Sequence, residues 1–132
     1  MTHISRQPLN SNISEEIYSA LVDHITSKGS IETRVLLCTE LLTKTERLML
    51  AKRLAIINML GEGYSFEAIQ ESLKVSPSTI GRLWQSIQNG KFSKTIHVLT
   101  SDKLSTKINY ALEAVLNFAL SKPTPRWKSL DN

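Results

Sequence analysis

The residues best suited to chemistry lie in a stretch that carries positive charge and no carboxylate. Between Ser72 and Ser101 the sequence has no Asp or Glu, and the basic residues there are Lys74, Arg82, Lys91 and Lys94. The whole chain has 16 basic and 12 acidic residues, so outside this window 12 of each sign balance. A basic patch attracts phosphate backbones by releasing their counterions. The alternative interpretation is an ordinary solvated surface that lacks acidic residues by chance.

The elements that position these residues have the spacing of a helix-turn-helix. Ser65 is a predicted N-cap for a helix over 66–73, residues 74–76 form a turn, and Ser76 caps a second helix that ends at Asn89-Gly90. Pro77 occupies the first position of that second helix, where its missing N–H costs nothing. In a helix-turn-helix the second helix enters the major groove of DNA. The residues expected to contact DNA are Gln70, Lys74, Ser76, Pro77, Ser78, Thr79, Gly81, Arg82, Gln85 and Lys91.

The second helix offers two kinds of contact. Hydroxyl groups near its N-terminus suit phosphate, which the helix dipole also attracts. Arg82 and Gln85 have the donors that read guanine and adenine edges. A small residue, Ala68, stands where the two helices cross, and an apolar seam of Ile69, Leu73, Val75 and Ile80 is expected between them. A plain helical hairpin without DNA binding would use the same caps and seam.

The rest of the chain predicts an all-α protein with one domain. We expect helices from Ser14 to Gly29, from Ser30 to Leu42, from the capping box Thr43–Glu46 to Gly61, and from about 101 to 121. An apolar stripe of Leu50, Leu54, Ile57 and Leu60 is predicted to face the core from the third of these. The predicted organisation is a flexible 1–13, a helical DNA-binding domain over 14–121 with the helix-turn-helix at about 65–90, a loop over 91–100, and a tail over 122–132 that holds Trp127.

Other function classes have little support. The single Cys38 cannot form an internal disulfide, and it sits among leucines. The three histidines, at 3, 24 and 97, lack metal-ligand spacing, and no nucleophile or phosphate-loop motif is present. We therefore expect no metal and no enzymatic activity. No apolar run reaches the ~20 residues that cross a bilayer, and the first 12 residues lack a signal-peptide core, so a cytoplasmic, nucleoid-associated protein is expected.

Four segments together resemble the tryptophan-repressor superfamily. They are LTKTER at 42–47, AKRLAII at 51–57, GYS at 63–65 and LKVSPSTIGR at 73–82, in order and at matching spacing. The closer similarity is to the YerC/YecD repressor-like branch. The resemblance covers about residues 30–92 and is more specific than a helix-turn-helix pattern alone.

The resemblance implies properties that the composition does not. Family members are intertwined homodimers, which makes 14–42 and 102–121 the expected dimer-forming helices. In the tryptophan repressor two arginines enclose the indole of the corepressor, and a serine helps to hold its amino group. The matching residues are Arg53, Arg82 and Ser86. Leu83 replaces a glycine of the tryptophan-binding member and Trp84 follows it, so bulk beside the pocket argues against a tryptophan cofactor.

The predicted function is sequence-specific binding of double-stranded DNA by a homodimeric transcriptional regulator, a repressor. One alternative is a helical protein-interaction module that uses the apolar face of 111–120 and Trp127. A weaker alternative is promoter recognition of the sigma-factor type, because LTxxER before a helix-turn-helix also occurs there.

Overall fold

The computed structural model describes residues 7–26, 29–101 and 104–116, and this described part contains only helices. Their bounds are α1 Ser11–Ile25, α2 Ile31–Leu41, α3 Lys44–Glu62, α4 Phe66–Leu73, α5 Pro77–Gln88, α6 Ser93–Ser101 and α7 Leu104–Leu116. The prediction of an all-α protein is confirmed. The expected C-terminal end of the last helix, the tail and Trp127 lie outside the described residues.

The chain divides into two compact units, Met1–Leu48 and Met49–Asn132. In the first unit α1 contacts α2. Asn10 caps α1, because its side chain accepts from the Asn12 N–H at 2.9 Å. The helix therefore begins at Ser11 and not at the predicted Ser14. Neither α1 nor α2 has a buried residue among those described.

Short-range capping organises the rest of the first unit. The Ser30 side chain caps α2 by accepting from the Thr33 N–H, and the pKa of Glu32 is lowered by backbone hydrogen bonding and by Ser30. At the start of α3 the predicted capping box is present: the Thr43 N–H donates to Glu46 Oε2 at 2.8 Å, and the Glu46 N–H donates to Thr43 Oγ1 at 3.1 Å. Arg47 donates to the last carbonyls of α2, those of Thr39 and Leu42.

The second unit holds the described core. All six residues from Ala55 to Leu60 are buried, so this part of α3 is enclosed on every side. The predicted one-sided stripe was therefore partly wrong. Ile57 and Leu60 are buried, but Leu50 and Leu54 are 49% and 36% exposed. The remaining buried apolar residues come from α4, α5 and α6: Ala68, Ile69, Leu73, Ile80, Ile87 and Leu99.

The predicted loop over 91–100 was wrong, because α6 occupies Ser93–Ser101. Thr, Ile and Val have lower helix propensity than Ala or Leu. The local sequence of residues 93–101 therefore did not indicate a helix. Its Leu99 is 1% exposed and belongs to the core, so tertiary packing stabilises the helix. Ser101, expected to cap the last helix, is the final residue of α6.

One buried polar contact joins distant parts of the second unit. Asn58, in the middle of α3, has no exposed surface. Its Nδ2 donates to Oδ1 of Asn109 on α7 at 3.1 Å, while its own Oδ1 has no hydrogen-bond partner. A buried amide is costly unless it is paired, so this contact restricts how α7 can pack.

Candidate nucleic-acid interface

α4 and α5 form the predicted helix-turn-helix. The Ser65 side chain caps α4 by accepting from the Ala68 N–H at 3.1 Å, and the Ser76 side chain caps α5 by accepting from the Thr79 N–H at 3.3 Å. Pro77 is the first residue of α5, and Gly90, at φ 86°, follows its C-cap. Local sequence thus sets both helix starts and the end of the second helix, as predicted.

The seam between the two helices is apolar, as the sequence indicated. Ile69 and Ile80 are completely buried, Leu73 is nearly so, and Val75 packs against this cluster while partly exposed. Ala68 is also buried. Because the seam occupies one face of α5, its opposite face is free to contact another molecule.

The exposed face of α5 and its flanks are polar and basic. Lys74, Ser76, Pro77, Ser78, Arg82, Gln85 and Lys91 are exposed, and Gln70, Thr79 and Gly81 are half-buried. No residue of α5 is acidic, and the neighbouring carboxylates in sequence, Glu67 and Glu71, belong to α4. The arrangement presents positive charge and hydrogen-bond donors on the exposed face of α5, which suits a polyanion.

Hydroxyl groups cluster at the N-terminus of α5. The Ser76 hydroxyl lies 3.1 Å from the Ser78 hydroxyl and 2.9 Å from that of Thr79. One turn further along, Arg82 Nε donates to the Ser78 carbonyl at 3.4 Å. Arg82 therefore lies along its own helix, with its guanidinium beside the end where the helix dipole is positive.

The turn between α4 and α5 contains a strained residue. Lys74 has φ 53° and ψ 55°, the left-handed conformation that glycine adopts most readily. Its carbonyl accepts a long hydrogen bond of 3.5 Å from Lys52 Nζ on α3. The turn thus carries the exposed Lys74, and the ammonium group of Lys52 lies beside it.

A cleft of about 440 Å³ opens between α3 and α5. It brings together Arg53 and Arg82, two of the three residues expected around an effector, whereas Ser86 does not line it. The complete lining is Met49, Lys52, Arg53, Ile56, Val75, Thr79, Arg82 and Leu83. Lys52 was not predicted from the sequence, and its spacing of three residues from Met49 and four from Ile56 was the available signal.

Two aromatic residues, Trp84 and Tyr64, pack against the core and do not line the cleft. Trp84 packs against the core cluster while partly buried and does not line the cleft, whereas its neighbour Leu83 does. Tyr64 also packs against that cluster, where burial, with a smaller contribution from Glu62, raises the pKa of its phenol. The bulk predicted beside the pocket thus comes from Leu83.

Other kinds of site find no support in the described residues. His, Cys, Asp and Glu form no group there that could hold a metal ion. A search of the same residues for a helix of sufficient length and apolarity to cross a bilayer finds none.

Comparison with known proteins gives one match. Residues 16–99 match the family described as Trp repressor protein. That segment contains α2 to α5 completely, most of α1 and most of α6. Neither a curated protein nor a solved structure gives a significant match.

Proposed function

The chain belongs to the Trp repressor protein family, and from this premise we propose that it is a sequence-specific DNA-binding repressor that inserts α5 into the major groove. The observation that carries the proposal is the exposed, carboxylate-free face of α5 beside a basic turn. We place it in the cytoplasm, where its DNA lies, and in the YerC/YecD-like branch of the family.

Within this proposal the residues divide into two groups. Lys74, Lys91 and the hydroxyls at the N-terminus of α5 contact phosphates and set the orientation of the protein. Arg82 and Gln85 read base edges, with Gln70 at the periphery. A bidentate contact uses two of the five guanidinium N–H groups, so Arg82 can present its Nη atoms to a base while Nε donates to the Ser78 carbonyl.

The conformation of Lys74 supports a role in binding. A non-glycine residue in the left-handed region costs roughly 1–2 kcal/mol, and such strain is often kept at functional sites. We expect Lys74→Gly to raise the free energy of unfolding by about 1 kcal/mol and to weaken DNA binding at the same time. A glycine variant that is more stable and binds equally well would remove Lys74 from the interface.

We further propose that the protein acts as a homodimer. α1 and α2 have no buried residue among those described, and their apolar side chains are well exposed, for example Ile17 at 57% and Leu36 at 60%. A second copy supplies the surface that covers them. Two symmetric α5 helices then require half-sites about 34–36 Å apart in a partly palindromic operator.

The cleft matches the family's tryptophan corepressor only in part. Its basic side chains suit a carboxylate, and Met49 and Ile56 suit an aromatic ring. Leu83, however, lines the cleft where the tryptophan-binding member has a glycine, and Ser86, the residue that would help to hold an amino group, lies outside its lining. We therefore propose that the cleft does not bind tryptophan as a corepressor. Calorimetric titration with tryptophan and other indoles, with Arg53→Ala as the control, tests this, and saturable heats lost in the variant would contradict it.

The central test is a fluorescence-anisotropy titration of duplex DNA over a series of salt concentrations. Each phosphate contact steepens the dependence of log affinity on log salt by about 0.9. Arg82→Ala should cost ~1–3 kcal/mol on the operator and relax specificity, whereas Lys91→Ala should weaken all sequences equally and reduce the slope. Absent or salt-independent binding would contradict the proposal. Equal losses on operator and random DNA would make Arg82 a phosphate contact.

A further inference from the structure

Gly81 stands at a costly position for a glycine. It is the fifth residue of α5, inside the helix and away from both caps. A glycine there destabilises a helix by about 1 kcal/mol relative to alanine, because it loses more backbone freedom on folding. Unless some contact requires that this position have no side chain, alanine would give a more stable helix.

Nothing in the described chain requires glycine at this position. A Cβ built on Gly81 meets no heavy atom within 4 Å, and its φ lies outside the left-handed region. The other small or flexible residues of the helix-turn-helix are explained: Ala68 is buried at the crossing, and Gly90 has φ 86° after the helix end. Gly81 alone among these three has no explanation inside the chain.

The position of Gly81 around the helix indicates which molecule uses the space. With 100° per residue, Gly81 lies about 40° from Gln85 and about 60° from Ser78. Leu83 and Thr79, which line the cleft, lie on the opposite edge of the helix. Gly81 is therefore a gap in the exposed face, beside a side chain proposed to read a base.

We propose that Gly81 is a specificity-determining residue whose missing side chain lets α5 approach a base-pair edge in the major groove. This inference rests on the proposed function. Hydrogen bonds from Gln85 and Arg82 need donor–acceptor distances of about 2.7–3.2 Å. A methyl group at position 81 would need about 3.5–4.0 Å from any atom of the groove, so it would hold the helix back and lengthen those bonds.

The experiment compares the stability and affinity of Gly81→Ala with those of the wild type. Full-length wild-type protein first selects duplexes from a random 30-bp pool, and both proteins are then titrated with the selected duplex and with an unselected one. We expect the Tm of Gly81→Ala to rise by about 2–5 °C. Its affinity for the selected duplex should fall at least tenfold, while that for the unselected duplex stays within twofold.

One control variant and one further variant at position 81 make the result specific. Gln88→Ala changes an exposed residue on the same edge of α5, nearly two turns further on, and should retain the selected-duplex affinity within threefold. Gly81→Ser should fold, because there is space for its side chain in the free protein. Since the serine side chain is larger than a methyl group, this variant should lose at least as much affinity as Gly81→Ala.

Three outcomes would overturn the inference. Equal or tighter binding of the selected duplex by Gly81→Ala would show that the groove does not approach Gly81. A change of oligomeric state in that variant, measured by light scattering, would place a second copy of the chain against the gap. If the wild type enriches no sequence from the pool, the proposed function itself fails. That result is distinct, because it is obtained with the wild type alone, before any Gly81 variant is titrated.

Discussion

The two units of the chain use their apolar residues in opposite ways. In Met49–Asn132 the buried cluster includes residues of α3, α4, α5 and α6, and seven of its members are at most 2% exposed: Ile56, Ile57, Met59, Leu60, Ile69, Ile80 and Leu99. In Met1–Leu48 the described helices α1 and α2 have no buried residue, and large apolar side chains face outward. The described hydrophobic core thus lies in the second unit, and the described helices of the first unit leave their apolar side chains exposed.

This difference suggests a division of labour. Hydrophobic burial contributes about 25 cal/mol per Å² of apolar surface removed from water, and α1 and α2 gain little of it within one chain. Large exposed apolar patches mark interaction sites. The helix-turn-helix, in contrast, exposes polar and basic groups and keeps its apolar side inward. On the proposed function, α1 and α2 of the first unit carry association and the helix-turn-helix of the second unit contacts DNA.

The largest effect is expected from a core truncation in the second unit. Leu99→Ala removes a side chain that is 1% exposed, and it should lower the free energy of unfolding by about 2–5 kcal/mol, because it leaves a cavity. Chemical denaturation measures the change. The matched control is Val98→Ala on the same helix, where the side chain is 41% exposed and the loss should stay below about 1 kcal/mol. Equal losses would mean that α6 is not part of the core.

The next effect concerns association through the first unit. Ile17→Asp should weaken the dimer by roughly 3 kcal/mol or more, since burial of two isoleucines contributes at least about 1.5 kcal/mol each. Analytical ultracentrifugation over a range of concentrations measures the dissociation constant. Val98→Asp, at a side chain 41% exposed on α6 and outside the helices expected to form the dimer, is the control. If Ile17→Asp leaves the dimer intact and Val98→Asp dissociates it, the division of labour is reversed.

Local signals predicted the capped elements well. Thr43, Glu46, Ser65 and Ser76 make the expected hydrogen bonds, because a cap depends on residues three positions apart. The seam of the helix-turn-helix followed from helical periodicity for the same reason.

Features that depend on distant parts of the chain escaped prediction. α6 has weak local propensity and exists through the packing of Leu99. The pairing of Asn58 with Asn109 spans 51 positions, and no local pattern points to it. In the candidate interface, Arg82 was visible as part of a helix face. Lys52 shares a helix face with Met49 and Ile56, but only the folded chain brings it to the Lys74 carbonyl.

The amide pair allows a test of what fixes α7 within the second unit. Asn109→Ala leaves Asn58 Nδ2 buried without this partner and should cost about 1–3 kcal/mol. Replacing both residues with leucine removes the unpaired groups, so the double variant should be more stable than Asn109→Ala. Denaturation of both variants checks the order. A double variant that is less stable than Asn109→Ala would show that the contact between Asn58 and Asn109 contributes net stability, in addition to restricting how α7 packs.

The smallest effect should come from the cap of α5, where stability and binding can be separated. Ser76→Ala removes the acceptor for the Thr79 N–H and should cost about 1 kcal/mol, whereas Ser76→Gly should cost only a few tenths. If the Ser76 hydroxyl also contacts phosphate, both variants should lose DNA affinity equally despite their different stability, and the salt slope should fall in both. Affinity losses that instead follow the stability losses would make Ser76 a structural cap alone, and the phosphate contacts would then belong to Lys74, Lys91 and the remaining donors of the helix-turn-helix.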